Sequence, residues 1–507
     1  MTQPGSIPDR AGTTRTGWWL VAGAAVLLAA LATWNSAHKS LWVDEAYSEY
    51  TSRLSVVGAA LRALHYELQA PLYFTLLDIW RHIDQSVMFG RALSTVAAAG
   101  FVVVVAAIGR RAGLRQWWWL GIAAAGMPGV VWAASELRCY ALMMLLSAAS
   151  LYFYLGILLS STRVARRDAA GYVIAAVVGL YTFYYIGFIL AGQWVATWVA
   201  RRRVAVLTGL LAIVGCALLP MVRVILWQAA MHPVDTVYYN VATEPRYALF
   251  KTIGLIAGEF EGRADVLSLP HALPILLLIA LAVPVVRTIG SRVPWDRTEA
   301  ALTVAVAVPL AVLWFLRLLN VVPVHPQHFL TTLPGLLLVY GIWFQRIAAR
   351  WQRAVLGSAM AAATATCLVS FERHNVQWED WRGAAQYVAA HAGPNDMVLL
   401  YDPDRMLPFN DYFAAISRGI PVHGVPMDVN LERYNPYIYT IKDTAAIAAR
   451  IDALGASARP LWFVTGNRLL DPLNKGPGEI VQYLSVHDRL DAPIALTGVR
   501  IVHAEPR

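Results

Sequence analysis

Met88–Ile108 reads MFGRALSTVAAAGFVVVVAAI, twenty-one residues with one charge, Arg91, near the start. About 20 mainly apolar residues in a helix span the hydrocarbon core of a bilayer, where lipid offers no partner for an unpaired backbone N–H or C=O. Gly109, Arg110, Arg111 and Arg115 follow at once, the basic flank of a cytoplasmic loop. Runs of the same kind recur on both sides of this one. The spans read from length and hydropathy are 18–36, 88–108, 117–134, 139–159, 170–187, 188–200, 204–226, 270–286, 299–316, 328–345 and 354–371, about eleven in all. Of the 507 residues, 58% are hydrophobic and 14% charged, against roughly 25% charged in a soluble protein. Mean hydropathy is +0.51. The expected fold class is therefore a polytopic α-helical membrane protein.

The net charge of +9 does not point to nucleic acid, because the cations fall in short clusters between apolar runs. With the N-terminus inside, each inner loop is Arg-rich: Arg110, Arg111 and Arg115; Arg163, Arg166 and Arg167; Arg201 to Arg203; Arg287, Arg292 and Arg297; Arg346, Arg350 and Arg353. Met1–Gly17 is polar and the run after it lacks a small-residue cleavage site, so Trp18–Trp34 reads as a retained first span. Loops 37–87 and 227–269 and the tail from Glu372 to Arg507 are then extracytoplasmic. The domain division is 1–371, a transmembrane catalytic part, and 372–507, an extracytoplasmic α/β domain.

In that tail, helical patterns at Glu379–Ala390 and Asp443–Leu454 alternate with apolar runs at Met397–Tyr401, Pro421–Val425, Leu461–Thr465 and Ile494–Val502. Alternation of this kind predicts a small domain with a mainly parallel sheet. It carries no Gly-x-Gly-x-x-Gly or phosphate-loop pattern, and its acids Asp402, Asp404 and Asp411 are expected in solvent, contact with an acceptor glycan being the alternative. All three cysteines lie in or beside apolar runs, so the tail has no disulfide.

The chemistry is expected in the first outer loop, which opens Ser40-Leu41-Trp42-Val43-Asp44-Glu45-Ala46-Tyr47-Ser48. Two adjacent carboxylates between amphipathic aromatics sit at the membrane–water boundary, within reach of a lipid headgroup and a soluble acceptor. Solvated acids on a loop are the competing reading. Leu41–Ser48, followed by Gln69-Ala70-Pro71-Leu72-Tyr73 and Gly90-Arg91-Ala92-Leu93-Ser94, resembles the opening of membrane glycosyltransferases of the GT-C superfold, especially family 39-like enzymes. Ser135-Glu136-Leu137-Arg138-Cys139-Tyr140 resembles that family's Glu-x-Arg-x-Tyr element. Tyr181–Tyr185 resembles its aromatic stretch, and Glu379-Asp380-Trp381-Arg382 the start of its external domain. Gln69-Ala70 stands where the family has His-Pro, Phe183 where a His is common, and His325–Phe329 where an Arg-Tyr pair is common.

The resemblance implies a sugar transferase using a polyprenyl-phosphate donor, mannose being favoured, with a cell-envelope glycan, lipoglycan or protein as acceptor. It implies Asp44 as the base, with Glu45 orienting the acceptor, binding a metal or raising the Asp44 pKa. Donor contacts fall to Arg138, Glu136, Tyr140, Tyr184 and Tyr185, with Arg317 or a protonated His328 replacing the missing arginine. Arg138 pairing with Glu136, and Tyr184 and Tyr185 acting as interfacial anchors, are the structural alternatives. No metal site is assigned; a divalent cation is possible, and His325 with His328 is a weak pair for one. The rival class is a multi-pass transporter or lipid flippase, which would place its ionisable groups near the midplane instead. An Ala- and Arg-rich composition without an endoplasmic-reticulum signal fits a bacterial cell membrane.

Overall fold

A computed structural model describes residues 11–231, 296–319, 324–347, 349–374, 379–417, 419–432, 441, 444–455, 459–466 and 476–507. The chain divides into two compact units, Met1–Ser36 with Gln69–Asn375, and Ala37–Leu68 with Val376–Arg507. The first half of the loop read as 37–87 thus belongs with the C-terminal residues, not with the helices that flank it in sequence.

In chain order the helices are α1 (Ala11–His38), α2 (Val43–Thr51) and α3 (Val56–His65), α4 (Leu72–Arg81), α5 (Val87–Arg111), α6 (Trp118–Gly126), α7 (Pro128–Ala134) and α8 (Tyr140–Leu158). They continue with α9 (Arg166–Thr182), α10 (Ile186–Ala200), α11 (Val204–Met231) and α12 (Arg297–Leu319). A 3₁₀ turn, Pro326–Thr332, leads to α13 (Leu333–Arg346) and α14 (Arg350–His374). The first unit holds all of these but α2 and α3. Among the described residues six helices are long and apolar enough to cross a membrane: α1, α5, α8, α11, α12 and α14.

The other expected spans are shorter or broken, for local reasons. Span 117–134 is two helices, because Pro128 disfavours helical backbone at the residue before it and Met127 is extended (φ −74°, ψ 126°). Spans 170–187 and 188–200 become α9 and α10, separated at Phe183 (φ −160°, ψ 114°). Span 328–345 begins as the 3₁₀ turn. Span 270–286, the loop beyond Met231, Arg287 and Arg292 lie outside the described residues.

Within the bundle α5 packs on α8, α8 on α9, and α10 on α12. The last pair approach at Gly192, where a Cβ would stand 2.7 Å from the Ala305 carbonyl oxygen and from Pro309 Cδ. A helix end is closed by an ion pair between Arg111 Nη2 and Asp168 Oδ2 at 2.6 Å, a basic C-terminus meeting the acidic first turn of α9.

The second unit adds helix α15 (Trp381–His391), strand β1 (Met397–Tyr401), α16 (Met406–Phe413), β2 (Val422–Gly424), α17 (Thr444–Ala453), β3 (Leu461–Gly466), α18 (Gly476–His487), β4 (Asp488–Leu490), β5 (Ile494–Leu496) and β6 (Val499–Pro506). Strand order is β2-β1-β3-β6-β4, with β5 also paired to β6. β2-β1-β3 are parallel, but β6 runs antiparallel to β3, β4 and β5, so the sheet is mixed and not mainly parallel. The run read as one strand, Ile494–Val502, folds back on itself because Gly498 takes a left-handed backbone (φ 65°).

Every residue of β1 and β3 is buried, since helices cover both faces. Val398, Leu400 and Val464 meet Trp381 of α15 and Phe409 and Phe413 of α16, while Leu399 and Phe463 meet Ile447 of α17 and Ile480 of α18.

Hydrogen bonds join α2, α3 and the segments flanking them to this domain. The Leu41 N–H donates to Tyr412 Oη (2.8 Å), Ser40 Oγ to the α15 cap Asp380 (3.2 Å), and Tyr66 Oη to the Asn430 carbonyl (2.7 Å). Phe409→Ala empties a fully buried site, and the expected loss of stability is about 3–5 kcal/mol. Denaturant unfolding monitored by the accessibility of residues 379–507 to protease should show that loss.

Candidate active site

In the second unit the acid pair opens α2, where a helix N-terminus favours carboxylates. Successive residues on a helix point about 100° apart, given 3.6 residues per turn. Accordingly, Glu45 is fully buried and Asp44 is partly exposed, leaving Asp44 as the one able to meet a substrate.

One turn on, Tyr47 Oη donates to Asp404 Oδ1 at 2.6 Å, and the Tyr66 and Tyr47 hydroxyls lie 3.4 Å apart. Burial pushes the Asp404 carboxyl up to about 6, and the neighbouring carboxylates Asp402 and Asp44 push the same way. The Tyr47 hydroxyl and the Arg405 guanidinium oppose that shift. Burial and the Asp404 charge also raise the Tyr47 phenol, so it stays a hydrogen-bond donor at any physiological pH.

Asp404 was expected in solvent and is instead a partner of the Asp44 helix. It lies just past the carboxyl end of β1, whose neighbours β2 and β3 flank it on opposite sides. In open α/β sheets such a switch point is where a crevice forms. Arg405 is held there by Glu379, with Nη1 at 2.8 Å from Oε2. The signal that finds this pair in sequence is Asp402-Pro403-Asp404 directly after the wholly apolar run Met397–Tyr401.

The residues expected to meet the donor all lie in the first unit. Arg138 and Glu136, 5% and 2% exposed, precede α8. The Arg138 carbonyl accepts Ser94 Oγ (3.1 Å), and its guanidinium lies 5.9 Å from the centre of the Tyr140 ring. Tyr140 stacks on Trp132 (5.0 Å), and its hydroxyl accepts from Gln327 Nε2 (3.4 Å). His328 packs edge-on to Tyr185 at 4.8 Å and to Phe183 at 5.1 Å. Arg138, Arg317 and His325 all lie close enough to act electrostatically on His328. Arg138, Arg317, Tyr140, Tyr185 and His328 therefore gather at one end of the bundle, with Tyr184 half-buried beside them in sequence.

Arg317 is buried and donates to the Val324 carbonyl. His328 Nδ1 accepts the His325 backbone N–H (3.1 Å), a geometry that requires an unprotonated Nδ1 and hence a neutral ring. A protonated His328 as donor cation does not fit that bond, and the same bond occupies one of the nitrogens a metal would need. Among the described residues no group of three or more His, Cys, Asp or Glu side chains is arranged to hold a metal ion.

Solved structures share this architecture. ArnT from Cupriavidus metallidurans matches in its apo state (TM-score 0.55, 14% identity, 97% of this chain and 98% of that one). It matches equally when bound to undecaprenyl phosphate (0.56, 15%, 96% and 98%). The oligosaccharyltransferase of Archaeoglobus fulgidus, in complex with Zn and sulfate, matches at 0.51 and 11% identity over 95% of this chain and 73% of its own. The fold is of the GT-C type. No family model matches the chain, and no curated protein matches it in sequence.

Because the Asp404 carboxyl ordinarily titrates near 3.8 and in the fold near 6, the folded unit retains between those pH values a proton that the unfolded chain releases. Its contribution to stability is greatest below that window and falls as pH rises through it. Tyr47→Phe removes a bond that favours the carboxylate, so the Asp404 titration should move still higher. Infrared difference spectra of the carboxyl stretch across pH 4–8, with Asp404→Asn identifying the band, check this; an unmoved band in Tyr47→Phe contradicts the assigned bond.

Proposed function

We propose that this chain is an integral-membrane glycosyltransferase that moves a sugar, mannose being favoured, from a polyprenyl-phosphate donor to a cell-envelope glycan, lipoglycan or protein. The observation that carries the reading is the conjunction of a fold shared over nearly the whole chain with a protein seen bound to undecaprenyl phosphate and a partly exposed Asp44 opening α2. The arginine-rich loops support an N-terminus in the cytoplasm and an extracytoplasmic C-terminal domain, in a bacterial cell membrane.

In this reading the acceptor hydroxyl loses its proton to Asp44 as its oxygen forms the new bond to the anomeric carbon. The bond from that carbon to the phosphate oxygen breaks on the opposite face, inverting the configuration, and its electron pair leaves with the lipid phosphate. Arg138 stabilises that phosphate by charge-assisted hydrogen bonds, with Arg317 as a second cation. Both guanidinium groups are buried, where a charge-assisted hydrogen bond to an anion is strong. Tyr140, Tyr185 and the neutral His328 shape the surroundings of these cations. Glu45 is buried beside the base in the first turn of α2.

The test is transfer of labelled sugar from synthetic polyprenyl-phosphate donors to an envelope extract. Asp44→Asn is expected to lower turnover by about 10²- to 10⁴-fold. Arg138→Ala is expected to weaken donor use by about tenfold or more, the scale of a lost hydrogen bond to a charge. Full activity in a folded Asp44→Asn protein moves the base elsewhere; no transfer from any donor returns the chain to the transporter reading.

A further inference from the structure

The second unit holds a cavity that none of these roles uses. It has a volume of about 240 Å³ between α2 and α16. At about 30 Å³ per water that is room for about eight waters, the scale of one sugar ring. Glu49, Tyr50 and Arg53 line it from α2 and its end, and Leu407, Asn410 and Asp411 from α16.

The lining is preorganised. Arg53 Nη2 pairs with Glu49 Oε1 and stands 3.6 Å from Asp411 Oδ1, so one guanidinium links the two walls. The Arg62 guanidinium lies 4.6 Å from the centre of the Tyr50 ring and fixes that ring's orientation. The bonds from Leu41 to Tyr412 and from Tyr47 to Asp404 hold α2 beside α16.

Carboxylate, amide and guanidinium groups are planar, with donors or acceptors in pairs, and suit adjacent hydroxyls on a ring. An aromatic side chain and an aliphatic one suit the ring's C–H faces. Two acids against one arginine leave a net negative lining, which disfavours an anionic ligand. We propose that this cavity is a binding subsite for a neutral saccharide ring of the acceptor. Its acceptor role rests on the transferase reading; its affinity for a saccharide does not. Tyr50 lies about 9 Å along the axis of α2 from Asp44, so an acceptor of a few sugar units seated in the cavity extends toward the base.

The experiment uses the full chain in nanodiscs, with saturation-transfer NMR on methyl glycosides of neutral hexoses and on a methyl glucuronide. Wild type and Asp44→Asn should both transfer saturation to the neutral glycosides and far less to the glucuronide. The Asn410→Ala/Asp411→Ala double variant and the cavity-filling Leu407→Trp should reduce the neutral signal about tenfold, the scale of one lost charge-assisted hydrogen bond. Thermal unfolding like that of wild type keeps either variant interpretable. Equal signals in wild type and both variants, a stronger glucuronide signal, or no signal for any neutral glycoside overturns the subsite. Glycoside binding without sugar transfer sinks the transferase reading and leaves the subsite standing; transfer with an unchanged acceptor KM in both variants does the reverse.

Discussion

Lipid supplies no hydrogen-bond partner, and most of the first unit follows from that constraint. Backbone groups there have to be satisfied within a helix, so long uninterrupted helices such as α5 and α8 form the frame. Breaks in the ladder appear where proline or a corner forces them, at Met127 and Phe183. The polar groups inside the bundle obey the same rule: Ser147 Oγ donates to the Thr331 carbonyl and Gln193 Nε2 to Ser150 Oγ. Two buried arginines, Arg138 and Arg317, and a neutral His328 come together at one end of this bundle.

In the second unit the governing element is the bond between Tyr47 and Asp404. It joins a helix near the start of the chain to the carboxyl end of a strand 357 residues later. The sheet gives that contact its rigidity: β1 is buried on both faces, so the turn after it has little freedom. Tyr47 lies one turn from Asp44 on the same face of α2, so whatever fixes the tyrosine also fixes the acid. The Asp44 carboxylate in turn acts on Asp404.

The sequence was most legible where one periodicity dominates. Uniform apolar runs predicted α5, α8, α11 and α12 closely, whereas the Asp-Glu stretch after α1, read as loop, is the helix α2. Legibility failed where distant residues decide the outcome. Ile494–Val502 carries the composition of one strand, yet the freedom of Gly498 makes it a hairpin and turns the sheet from parallel to mixed. Asp404 looks like any acid in a turn; its partner Tyr47 is one that no local pattern links to it. His328 resembled a substitute cation until the backbone N–H of His325 claimed its nitrogen.

The division of the chain separates two kinds of candidate site residue. The cations, Tyr140 and Tyr185 belong to the helical unit, where lipid and close packing limit substitution, as at Gly192. The acid pair and the cavity residues belong to the unit containing the sheet, where α16 and the turns around it present side chains to water. A change at Asn410 or Asp411 alters the cavity without disturbing Phe409 and Phe413, which hold the same helix on the sheet. In the transferase reading proposed above, the residues assigned to donor and to acceptor thus belong to different units and can vary separately.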